Sequence, residues 1–142
     1  MAIGVDTVAH KSTIEIGGET IAVLGSGLDN IYPPINKGLA VKIIQNGGCL
    51  VSEYSPGELP LKWRFPQRNR IISGLSEATV VMESPAKSGA LITADFAIEQ
   101  NRELFFHKSA LAAQERYKLI AQKKGISEKE QKQRCVQKYI EE

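Results

Sequence analysis

Four cations fall within the nine residues from Lys62 to Arg70: Lys62, Arg64, Arg68 and Arg70, with Asn69 between the last two. A guanidinium donates in pairs to phosphate oxygens, and a packed core has no use for so many cations in one stretch. Phe65 stands among them. Its ring offers a surface on which a nucleobase stacks or an anchor for the core, and residue type alone leaves both open. If three or four phosphates are neutralised here, log affinity falls against log salt with a slope of about −2 to −3.

Two glycine turns carry the same kind of chemistry. Gly25-Ser26-Gly27 follows an apolar run and leads into a turn and a helix. The third position of a dinucleotide fingerprint is occupied by Asn30, so G-x-G-x-x-G fails, and no acidic residue ends a strand about 20 residues on. Two roles remain, a turn required by backbone geometry or a cradle of amides for a phosphate. The second turn, Ser84-Pro85-Ala86-Lys87-Ser88-Gly89-Ala90, puts Ser88 and Gly89 at a helix N-terminus, with Lys87 before them. It is not a Walker loop. Ser88 serves as a helix cap, or the free amides there attract an anion.

Residues that could carry catalysis are scattered. Of the two histidines, His10 lies four residues from Asp6, a spacing that reads as a pair on a helix face. No third ligand is near, so the sequence implies no metal site. There is no G-x-S-x-G elbow, and Glu83 and Asp95 are isolated carboxylates. Nothing assembles a nucleophile, a base and an orienting group, so the chain reads as a binder without catalytic residues or cofactor.

These residues need a scaffold, and alternating apolar runs supply one. Residues 20–24 read as a buried parallel strand, 36–45 as a helix stopped by Gly47-Gly48, and 49–52 as a second strand. A loop with Pro56, Pro60 and Pro66 follows, then a short helix over 67–75, a strand over 78–83, a helix after Gly89 and a strand over 103–106. Such alternation predicts an α/β fold, a doubly wound, mostly parallel sheet with helices on both faces. Ligands of open α/β sheets bind outside the carboxyl ends of the strands. Both glycine turns leave such ends, and the segment around Arg68 and Arg70 is placed to fold over the same edge.

The 142 residues suffice for one core, and the apolar and charged fractions, 42% and 24%, are those of ordinary globular proteins. No apolar run approaches the roughly 20 residues of a membrane span, and the first residues lack the character of a signal peptide, so no membrane partner is expected and cytoplasm is the expected compartment. Cys49 and Cys135 have neither metal spacing nor a disulfide framework and read as free thiols. The net charge of +2 is too small to imply a nucleic acid, but its distribution is informative. Residues 1–102 hold nine basic and ten acidic side chains, so the cluster at 62–70 is a basic island in a slightly acidic body. Residues 103–142 carry a net +3 and read as helical from 109 to 124 and from 128 to 140, the latter opened by a capping box of Ser127 and Glu130. That appendage is either a solvated helical extension or a basic arm on nucleic acid.

Taken in order, Gly4-Val5-Asp6 with Ala9-His10, the run Thr20-Ile21-Ala22-Val23-Leu24-Gly25-Ser26-Gly27-Leu28-Asp29, Tyr32-Pro33 with Asn36, Ser52-Glu53-Tyr54, Phe65-Pro66, Arg68-Asn69-Arg70-Ile71-Ile72-Ser73-Gly74-Leu75-Ser76 and Ser88-Gly89-Ala90-Leu91-Ile92-Thr93-Ala94 resemble the bacterial DNA-processing protein A (DprA/Smf) family. The resemblance spans about residues 4–106. It implies a Rossmann-like domain that binds single-stranded DNA, protects incoming DNA in natural transformation, helps to load the RecA recombinase and forms a homodimer. Carried onto this chain, Lys62, Arg64, Arg68 and Arg70 become phosphate contacts, residues 25–27 and 88–89 line the pocket, and Phe65 is a base platform. The family's domain begins earlier, with a strand and a glycine-serine-arginine turn, and continues past Phe106 into a Pro-Gly turn, where this chain reads His107-Lys108-Ser109-Ala110. The resemblance therefore implies a truncated or rearranged member, with a partial Rossmann-like DNA-processing domain over 1–106 and a helical extension over 107–142. Two rival readings stand beside it: a hydrolase of nucleoside monophosphates using Glu83, and a remnant that acts through protein contacts.

Overall fold

A computed structural model describes residues 1–84 and 88–110. The chain divides between Arg68 and Asn69 into two units, Met1–Arg68 and Asn69–Glu142. The fold is α/β and Rossmann-like, and every strand pair among the described residues is parallel.

The first unit contains α1 (Val5–Glu15), β1 (Ile21–Val23), a 3-10 turn over Pro34–Asn36, α2 (Lys37–Gln45) and β2 (Cys49–Val51). Ile21 pairs with Cys49, Ala22 with Leu50 and Val23 with Val51. The core consists of Met1, Ala22, Leu24, Leu39, Ala40 and Ile43, with Ile14, Ile31 and Leu50 packed against it. The buried residues of α2 are Leu39, Ala40 and Ile43, at the spacing of one helix face, whereas Ile44 is exposed. Gly47 supplies the helix stop with φ +83°. Its amide donates to the Ile44 carbonyl at 3.2 Å and that of Gly48 to Ile43 at 2.9 Å, which satisfies two carbonyls that the helix leaves orphaned. Gly17 and Gly18 end α1 in the same way.

The second unit contains β3 (Ala78–Val81), α4 (Gly89–Glu99), β4 (Glu103–Phe106) and a 3-10 turn over Lys108–Ala110. β3 and β4 pair from Ala78 with Glu103 to Val81 with Phe106. Val81, Leu91, Ala94, Leu104 and Ala110 form this core. Ala94 and Ala97 are fully buried, and their small side chains let the α4 backbone lie close to its neighbours. Asn101, at φ +58°, takes the place of the glycine at the end of α4.

α3 (Arg64–Leu75) includes residues on both sides of the division. It begins three residues before the expected start at 67. Pro66 is its third residue, where no intrahelical acceptor exists for an amide, so the ring that read as a loop marker fits the first turn. β1, β2 and β3 are shorter than expected, while β4 has the expected ends. Of the helix expected over 109–124 only Ser109 and Ala110 are described, in the 3-10 turn; its remainder, the helix expected over 128–140, the capping box at Ser127 and the thiol of Cys135 lie outside the described residues. Cys49 is free and exposed.

Candidate nucleic-acid interface

The carboxyl end of β1 runs straight into the first glycine turn, and hydrogen bonds fix that turn to the loop after β2. The Ser26 hydroxyl donates to the Asn30 carbonyl at 2.6 Å, and the Ser52 hydroxyl donates to the Ser26 carbonyl at 2.6 Å while accepting from the Tyr54 amide at 3.0 Å. The Gly27 amide donates to the Glu58 carbonyl at 2.9 Å. Asp29 holds the other side of the loop, both carboxylate oxygens accepting from the Gly57 amide at 2.9 Å. The approach is close. A Cβ on Gly27 would stand 2.5 Å from the Ser55 carbonyl oxygen and 2.6 Å from Asp29 Oδ1. Among the described residues, the amides of Gly25 and Ser26 have no acceptor.

The start of α3 sits on this turn. A Cβ on Gly25 would meet the Phe65 ring at 3.1 Å, and the Phe65 ring packs at 5.4 Å from that of Tyr32. Phe65 is half-buried. Arg64 and Arg68 are buried, 8% and 7% exposed. Arg64 donates through Nη1 to the Leu59 carbonyl at 2.9 Å and through Nη2 to the Glu58 carboxylate. Its guanidinium also lies 4.5 Å from the centre of the Tyr54 ring and 5.2 Å from that of Trp63. Arg64 Nε is buried without an acceptor among the described residues. Arg68 donates to the carbonyl of Val23, 45 residues away at the end of β1, and lies 5.8 Å from the Phe65 ring. Burial lowers the Arg68 pKa, and the charges of Asp6 and Tyr54 oppose that shift. Both guanidinia thus tie the turn, the loop and the helix together. Lys62 is exposed just before α3.

Asn69, Arg70, Ser88 and Gly89 belong to the second unit. Arg70 is exposed and Asn69 half-buried. The backbone beneath them is fixed: the Arg70 carbonyl accepts from Gln100 Nε2 at 2.8 Å, the Ser73 hydroxyl donates to Gln100 Oε1 at 2.6 Å, and Arg102 donates to the Gly74 carbonyl at 2.6 Å. Ser88 caps α4, its hydroxyl accepting from the Ala90 amide at 3.2 Å. Gly89 is exposed, and a Cβ there would meet nothing within 4 Å. Lys87 lies outside the described residues.

The expected Asp6–His10 pair does not form. His10 Nδ1 is bonded to the Thr20 hydroxyl at 2.8 Å, and Asp6 faces the N-terminal ammonium at 3.5 Å. A one-turn spacing allowed the pair, but groups outside the helix are better-placed partners for both side chains. Burial lowers the His10 pKa. Among the described residues, no cluster of three His, Cys, Asp or Glu side chains could hold a metal ion. Within them no helix is long and apolar enough to cross a membrane.

Sequence reading passed over Trp63. The only tryptophan of the chain is 58% exposed, next to Lys62. A lone aromatic in a proline-rich loop, outside any apolar periodicity, was the available signal.

A family model described as DNA recombination-mediator protein A matches residues 1–138. The chain is 54% identical over 105 residues to Protein Smf of Synechocystis sp., covering 74% of this chain and 26% of that protein. It is 50% identical over 105 residues to DNA processing protein DprA of Streptococcus pneumoniae, covering 74% and 37%. The chain therefore spans about a quarter to a third of the length of these relatives. The crystal structure of the pneumococcal DprA superposes with a TM-score of 0.66 at 47% identity, over 73% of this chain and 36% of that one. DNA processing protein A of Helicobacter pylori, whose structure describes a single-stranded DNA binding mode, superposes with a TM-score of 0.72 at 30% identity, over 89% and 57%.

Proposed function

Because the chain belongs to the DNA recombination-mediator protein A family, we propose that it binds single-stranded DNA through the phosphate backbone, as part of DNA processing in natural transformation. It holds the strand and catalyses no reaction on it. The observation that carries this reading is the exposed ammonium of Lys62 at the head of α3, on a turn that buried Arg64 locks through Glu58 and Leu59. A cation on a fixed backbone meets a phosphate without the further cost of ordering its loop. Lys62 and Arg70 contact phosphates through their side chains, with Asn69 beside Arg70. The unaccepted amides of Gly25 and Ser26, the Gly27 turn and the start of α4 at Ser88 and Gly89 supply further anion-binding backbone, and Lys87 a further cation. Arg64, Arg68 and Phe65 act indirectly, by fixing the turn after β1, the loop before α3 and the start of α3 to one another.

Protection of incoming DNA, assistance to RecA, formation of a homodimer and a cytoplasmic location complete the reading. Titration of single- against double-stranded oligonucleotide at two salt concentrations tests it. Tighter binding of the single strand that weakens with salt supports it, and an interaction indifferent to salt refutes it.

A further inference from the structure

The loop that leads into α3 exposes flat apolar surface that neither the cores nor the phosphate contacts use. Trp63 is 58% exposed, and Leu59 and Leu61 beside it are 61% and 42% exposed. An indole with so much surface in water costs free energy unless a partner covers it. The indole sits on firm ground. The Arg64 amide donates to the Leu61 carbonyl at 3.0 Å, closing the turn that carries Lys62 and Trp63. The Arg64 guanidinium, 5.2 Å from the indole centre, is held by Glu58, Leu59 and the Tyr54 ring. Tyr54 is itself held, its hydroxyl donating to Gln67 Oε1 at 3.2 Å. Glu58 is the carboxylate nearest this loop in sequence, and Arg64 balances it. An exposed ring and an exposed ammonium on successive residues match a nucleotide, which joins a flat base to a phosphate.

We propose that Trp63 is a stacking platform for an unpaired nucleobase, with Lys62 holding the phosphate of the same or the next nucleotide. The proposal rests on the reading of the chain as a single-stranded DNA binder and adds to it the residue that meets the bases. A π face is common to all four bases, so the platform grips without selecting sequence. It also favours single strands, because a duplex keeps its bases stacked on one another.

Since Trp63 is the only tryptophan, its emission reports on this position alone. The full chain is titrated with oligothymidylate and with an abasic oligonucleotide of equal length, following indole emission and, separately, the anisotropy of a labelled strand. Oligothymidylate quenches the indole, whereas the abasic strand binds without quenching and more weakly. Trp63→Leu lowers affinity for oligothymidylate by roughly 5- to 100-fold, toward the abasic level, and Trp63→Phe restores most of it. Equal affinity and equal emission for the two strands overturn the platform and leave the DNA reading standing. Failure of both strands to bind overturns the DNA reading itself, and the platform with it.

Discussion

Burial divides the four cations at 62–70 into two kinds, and salt titration separates them. Each phosphate neutralised on a single strand contributes a slope of about −0.7 to log affinity against log salt. Four contacts give about −2.8. Lys62 and Arg70 are exposed, whereas Arg64 and Arg68 are buried and bonded to Leu59, Glu58 and Val23. Two contacts give about −1.4, so that between about 50 and 200 mM salt they weaken binding about 7-fold where four weaken it about 50-fold. Other cations add to the total, so the informative quantity is the change in slope in each variant. Lys62→Gln and Arg70→Gln each remove about 0.7 from the slope and leave stability within about 0.5 kcal/mol. Arg68→Met leaves the slope in place. It strips the Val23 carbonyl of a donor and destabilises the fold by about 1–3 kcal/mol. Anisotropy with a labelled oligothymidylate across the salt range, beside chemical denaturation of each variant, measures both quantities. The reasoning fails if Arg68→Met lowers the slope as much as Arg70→Gln and leaves stability unchanged. Its guanidinium would then be a phosphate contact rather than a strut.

Gly27→Ala drives a methyl against the Ser55 carbonyl and Asp29, and costs about 1–3 kcal/mol in denaturant unfolding. Gly89→Ala, with open space around it, leaves stability unchanged or raised by a few tenths to about 1 kcal/mol. Because burial lowers the His10 pKa below 6.5, the unfolded chain takes up that proton more readily; stability is complete above pH 6.5, falls as pH drops through it, and His10→Gln flattens this part of a melting-temperature profile. Asn101→Gly relieves a left-handed backbone at the end of α4 and stabilises by up to about 1 kcal/mol, read from the denaturation midpoint.

Local signals were legible and distant partners were not. The apolar run at 103–106 gave β4 its observed ends, and Gly47-Gly48 gave the stop of α2. Those features depend on residues within one turn or one strand. The fate of the arginines depends on longer separations: Arg64 is bonded to a carboxylate six residues back through an irregular loop, and Arg68 reaches across 45 residues to Val23. No periodicity encodes such a pairing. Charge therefore singled out a segment without saying which of its guanidinia are buried. Pro66 misled for a related reason, since a proline excludes the helix interior but suits its first turn. The Asp6 and His10 spacing permitted a pair that better-placed partners outside the helix replaced.

The turns that end α1, α2 and α4 also determine where the chain tolerates a change in length. Gly48 donates back to Ile43, and the very next residue, Cys49, donates to the Thr20 carbonyl. In the second unit, Arg102 donates back to Ala97 and Glu103 donates to the Glu77 carbonyl. With no slack between cap and ladder, one inserted residue would slip the strand by one and turn its apolar side chains to the wrong face. At the opposite end of the first pair the connection is longer: twelve residues separate β2 from α3, and bonds such as Gly27 to Glu58 and Gly57 to Asp29 hold that loop. A change of length there leaves the β1–β2 ladder in register and is felt instead in those loop bonds, so it alters the shape of the loop and not which faces of the strands are buried.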